Sequence, residues 1–131
     1  MALDPAALPD TVRAFLAERH LATLTTMRPD GTPHVVAVGF TWDDEAGLVR
    51  VITWARSRKA RNLVARPGSP AAVCQVEGGR WLTLEGTAVV SADPVHVAEG
   101  VRRYTERYRP PGEREDRVVI ELTVDRVLGR A

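Results

Sequence analysis

Polar and apolar positions along this chain follow two periods, and the switches between them mark its elements. Val12, Phe15 and Leu16 fall at helical spacing, so a short helix is expected over 11–19 with Asp10 as its cap. The period then drops to two, and residues 21–27 read as a strand. Arg28-Pro29-Asp30-Gly31 is a turn: Pro presets φ, and Gly accepts the positive φ that closes a hairpin. A long valine-rich strand follows over 32–42, a second turn over 43–47, and a third strand over 48–54. Ser57 has the position of an N-cap, for a helix that runs to about Arg66 and stops at Pro67-Gly68-Ser69-Pro70. Strands 71–77 and 80–91 are joined by Gly78-Gly79, a tight hairpin signal. Asp93 caps a third helix over 94–108, with Pro94 in its first turn. After a polar loop over 109–116, the last strand spans 117–127 and alternates Val118, Ile120, Leu122 and Val124 with polar partners.

Six strands and three short helices in 131 residues make one mainly β domain over 1–131, with some α. Short turns join most neighbouring strands, so the sheet is expected to be antiparallel and to curl into a small closed or partly closed barrel, which removes its edges. Composition agrees: 44% hydrophobic and 27% charged residues are those of a soluble globular domain. A net charge of +1 argues against a nucleic-acid or membrane binder driven by bulk charge. The one cysteine, Cys74, excludes an intrachain disulfide and makes a reducing, cytoplasmic setting the expectation. No leader or bilayer-spanning segment is expected.

The side chains suggest no reaction by themselves. There is no nucleophile elbow, no Cys/His cluster for a metal and no Gly-rich phosphate loop, and His20, His34 and His96 are scattered. An enzyme built from this chain needs a cofactor to supply the chemistry. The informative stretch is 46–76, which holds no acid and six bases: Arg50, Arg56, Arg58, Lys59, Arg61 and Arg66. Seventeen of the eighteen basic residues are arginine, so the single lysine, Lys59, stands out. It lies one turn into the Ser57-capped helix, where free amides and the dipole end favour an anion. A solvated basic helix face would account for the charge alone; the position after a strand favours the anion site. Small side chains along Pro33-His34-Val35-Val36-Ala37-Val38 suit a strand that offers its backbone to a flat ligand, although barrel core explains half of them. Gln75 interrupts an apolar strand, where an inward amide needs a partner, and Trp81 follows Arg80 directly after the hairpin.

Taken in order, Pro33-His34-Val35-Val36, Ser57-Arg58-Lys59-Ala60-Arg61-Asn62-Leu63 and Leu84-Glu85-Gly86 resemble the pyridoxamine-5'-phosphate-oxidase-like family, in its coenzyme F420-dependent, biliverdin-reducing branch. The likeness runs from about Asp10 to Gly129. It implies a six-stranded antiparallel split β-barrel of the FMN-binding kind with short flanking helices, assembled as a homodimer with two cofactor sites between subunits. It also implies that His34, Val35, Val36, Ala37 and Val38 line the deazaflavin ring. Thr53, Ser57, Lys59, Arg61 and Asn62 would hold its phosphate and acidic tail. Gln75, Arg80 and Trp81 would approach from the opposite wall. The activity implied is hydride transfer from reduced coenzyme F420 to biliverdin or a similar conjugated acceptor, with no metal and with the proton donor left open. FMN is the alternative cofactor, and a non-catalytic flavin- or haem-binding module the alternative role.

Overall fold

The computed structural model describes residues 2–131. Its elements, in chain order, are β1 (Ala2–Leu3), α1 (Asp10–Ala17), β2 (Ala22–Met27), β3 (Pro33–Val38), β4 (Thr41–Asp43), β5 (Leu48–Trp54), α2 (Arg58–Ala65), β6 (Ser69–Glu77), β7 (Arg80–Ser91), α3 (Pro94–Arg107) and β8 (Arg117–Arg130). All strand pairings are antiparallel, and the sheet runs β3-β2-β6-β7-β8-β5-β4 with β1 beside β8. The strands at the two ends of that order, β3 and β4, are consecutive in the chain and separated only by Gly39 and Phe40. The sheet must therefore curl until its edges meet, and no ladder joins them. That seam is the split of the barrel.

The described residues form eight strands where the sequence pattern suggests six. The long strand expected over 32–42 is two, because the chain leaves one sheet edge and joins the other at Gly39-Phe40. Gly39 has no room for a side chain there: a Cβ would come within 3.1 Å of the Tyr104 and Tyr108 rings. Phe40 turns inward and is fully buried. The other added strand is β1, a two-residue pairing with Val127 and Leu128 that no periodicity could reveal. Asp10 does not cap α1. Pro9 holds that position, the amides of Val12 and Arg13 bond its carbonyl, and Asp10 lies in the first turn, paired with Arg13. The caps of the other two helices are as expected: Ser57 accepts from the Ala60 amide and Asp93 from that of Val95.

Leu24, Phe40, Val73, Leu82, Leu84, Ile120 and Leu122 fill the barrel interior, all less than 2% exposed. Each helix has a distinct place. Gln75 points into the barrel and ties α1 over one end, its Nε2 donating to the Phe15 carbonyl at 2.8 Å. Asn62 fixes α2 to β2, its Nδ2 donating to Thr26 Oγ1 at 3.0 Å. Helix α3 packs on the outside of β5 and β8, where a side chain at Gly100 would meet Ile52 and Val119 at about 3 Å. The outer face of β3, β2, β6 and β7 has no such cover. Its cross-strand rows run Val35–Thr25–Ala72–Glu85–Arg126, Ala37–Thr23–Cys74–Thr83–Leu128 and Val76–Trp81–Arg130. Val35, Val76 and Trp81 on this face stay exposed.

Candidate functional site

Beside the seam lies a cavity of about 310 Å³. Ala37, Val38 and Gly39 form one wall, and Ile52, Thr53 and Trp54 from β5 form the facing one. Lys59 enters from α2, Tyr104 from α3, and Pro111, Arg114 and Arg117 from the loop 109–116 and the start of β8. The fold brings these together because β5 runs directly into α2. Thr53 Oγ1 donates to Ser57 Oγ at 3.0 Å, and Ser57 Oγ in turn accepts the Ala60 amide, all buried. That staple fixes the helix start at the end of the strand. It leaves the amides of Arg58 and Lys59 without intrahelical acceptors, at the positive end of the helix dipole.

Lys59 is only 9% exposed and makes no ion pair among the described residues. Its Nζ lies 5.0 Å from the centre of the Trp54 ring, and the Arg114 guanidinium lies 4.7 Å from the same ring. Burial pushes the Lys59 ammonium below the usual lysine pKa. A buried cation without a counter-ion is costly, so the site is complementary to an anion it does not itself contain. The lining has three cations and no carboxylate. Chemically, it can hold a flat ligand against bare strand backbone with that ligand's negative charge on Lys59 and the helix start.

Of the residues expected from sequence, Ala37, Val38, Thr53 and Lys59 line this cavity, and Ser57 lies beneath it. The rest of β3 alternates away: Val36 packs on the core and Val35 faces out. His34 faces Thr26 across the ladder, and its Nδ1 is buried without a partner. Burial, then the nearby charges of Arg28, Lys59 and Arg58, hold its pKa below the usual histidine value. Asn62 lies outside the lining, with its Oδ1 unpartnered, and Arg61 is exposed on α2. Gln75, Arg80 and Trp81 are not gathered here. Both ends of the Gln75 amide are engaged, since Oε1 accepts from Arg107 at 2.5 Å. Arg80 makes two 2.9 Å bonds to Glu18 at the α1 end, and Trp81 stands on the uncovered sheet face.

Sequence reasoning missed Gly39, Ile52, Trp54, Tyr104, Pro111, Arg114 and Arg117. A charge scan stops at Val76, and Arg114 and Arg117 are masked by Glu113, Glu115 and Asp116 between and beside them. Only the fold separates these, turning the two arginines to the cavity.

A family model described as pyridoxamine 5'-phosphate oxidase matches residues 8–131. The F420H(2)-dependent biliverdin reductase of Mycobacterium tuberculosis (strain CDC 1551 / Oshkosh) is 52% identical over 124 residues, covering 95% of this chain and 89% of that protein. Among solved structures, an F420 reductase superposes with a TM-score of 0.73 at 27% identity, over 92% of this chain and 98% of the other. A conserved hypothetical protein from Mycobacterium tuberculosis superposes with a TM-score of 0.78 at 24% identity, over 95% of this chain and 85% of the other.

Proposed function

The chain belongs to the pyridoxamine 5'-phosphate oxidase family, and on that premise we propose that it is a homodimeric, coenzyme F420-dependent oxidoreductase that reduces biliverdin or a similar conjugated acceptor. One observation carries the reading: a buried Lys59 without a counter-ion stands at the start of a Ser57-capped helix, in a cavity whose lining has no acid. A cofactor with a flat ring and an anionic tail fits that arrangement. The names of the 52%-identical relative and of the F420 reductase neighbour favour the deazaflavin over FMN.

In this reading the backbone of Ala37, Val38 and Gly39 takes the ring. Thr53, Ser57 and Lys59, with the free amides of α2, take the tail phosphate, and Arg61 meets its acidic extension from outside. When bound and reduced, the deazaflavin supplies the hydride. The chain contributes position and field. Trp54 and Ile52 wall the cavity against water, and Lys59, Arg114 and Arg117 oppose negative charge that develops within it. A second copy of the chain covers the open sheet face, which brings the partner subunit's Trp81 towards the cavity. No helix among the described residues is long and apolar enough to cross a membrane. The free Cys74 suits work in the cytoplasm.

The test is a fluorescence titration of the purified protein with coenzyme F420 and with FMN, followed by addition of biliverdin to the protein carrying reduced coenzyme F420. Tighter binding of coenzyme F420 and its reoxidation by biliverdin are expected. Tighter FMN binding, or ligand retention without turnover, overturns the reading.

A further inference from the structure

The cavity's cations differ in depth. Lys59 is at the floor, 9% exposed, whereas the Arg114 side chain is 46% exposed and belongs to the rim loop 109–116. That loop is held by three ties: Arg117 Nη2 donates to the Gly112 carbonyl at 2.6 Å, the Ala55 amide donates to the Asp116 carbonyl at 2.9 Å, and Arg114 rests on Trp54. Among the described residues, Arg114 forms its ion pair with Asp116, at 3.1 Å. Such an exposed pair is weak and readily exchanged for a better acceptor. Trp54 is thus flanked by two cations with separate duties to fill, one deep and one facing solvent. With the cofactor's tail phosphate on Lys59, the acceptor enters from the open side and meets the rim.

We propose that Arg114 and Arg117 recognise ionised carboxylates on the acceptor, so that the site selects planar acceptors with carboxylate side arms. This rests on the reading of the chain as an F420-dependent reductase. A guanidinium fork matches a carboxylate with two parallel N–H···O bonds, and the Trp54 ring under Arg114 steadies that fork at the rim. The alternative source of the same chemistry is the cofactor's own acidic tail, and ligands that differ only in the charged group separate the two.

The experiment measures dissociation constants for the wild type, Arg114→Gln, Arg117→Gln and Arg114→Lys. The ligands are coenzyme F420, the deazaflavin without its phosphate tail, biliverdin and biliverdin dimethyl ester, the last two added to protein carrying oxidised coenzyme F420. The wild type is expected to prefer biliverdin to its ester by at least about tenfold, the loss of one charge-assisted hydrogen bond. Either glutamine variant should erase that preference while keeping its affinity for coenzyme F420, and Arg114→Lys should restore part of it. Equal wild-type affinity for the acid and the ester overturns the inference. So does a glutamine variant that weakens coenzyme F420 but not the tailless deazaflavin, which assigns the rim to the tail. A wild type that binds no coenzyme F420 sinks the functional reading itself, a different outcome from both.

Discussion

At the scale of single residues, Lys59 sets two demands in opposition. Its ammonium is kept for an anion and is a burden without one. Lys59→Ala should weaken coenzyme F420 binding about tenfold to a hundredfold, the loss of one charge-assisted hydrogen bond. Lys59→Met, which fills the same volume without charge, should leave the melting temperature of the ligand-free protein unchanged or higher, as calorimetry will read. The pH dependence has a definite sign. The folded pKa is below the ordinary 10.5, so the unfolded chain holds more protons between the two values. Stability of the ligand-free protein should therefore rise with pH across that window. His34 follows the same logic in acid. Its folded pKa is below 6.5, so stability falls as pH drops through 6.5 and levels off beneath the folded value. Urea midpoints measured from pH 7.5 downward should lose part of this slope in His34→Gln.

At the scale of elements, two side-chain amides hold helices to the barrel. The sequence marks Gln75 as an inward amide that needs a partner, and that much is correct. It cannot say which partner, because Phe15 and Arg107 are distant in the chain and meet only when α1 closes the barrel. Gln75→Leu should cost about 1–3 kcal/mol through the loss of two buried hydrogen bonds, one to the Phe15 carbonyl and one from the Arg107 guanidinium. It should leave the affinity for coenzyme F420 near that of the wild type. Equilibrium unfolding paired with the cofactor titration checks both; a large loss of affinity at unchanged stability would place Gln75 in the site after all. Element types and most boundaries were legible, because hairpin turns and helix caps are local chemistry. The break at Gly39-Phe40 was not, since what crowds Gly39 is a pair of rings far along the chain, Tyr104 on α3 and Tyr108 just past its end. The half of the cavity built by α2 was legible from local charge. The half built by α3 and loop 109–116 depends on long-range packing.

At the scale of the whole molecule, the uncovered sheet face is the feature a single chain does not explain. Val35, Val76 and Trp81 are 58%, 59% and 39% exposed there, in continuous cross-strand rows. The homodimeric reading proposed above gives it a second copy of the chain as cover. Light scattering should give the mass of two chains. Val76→Glu should shift it towards one chain and weaken cofactor binding with it, because a carboxylate on this face would lose its water in the proposed dimer. A monomeric variant that binds coenzyme F420 as tightly as the wild type removes the second subunit from the site.

Strand β8 pairs with β7 on one side, β5 on the other and β1 at its end, yet it is synthesised after all of them. As the chain leaves the ribosome, β4 and β5 therefore have no sheet to join, and β7 has an open edge, until residues 117–130 emerge. Vectorial folding from the N-terminus is closed to this topology. The nascent chain stays in need of protection against aggregation until β8 emerges, and then the barrel closes in one late, long-range step.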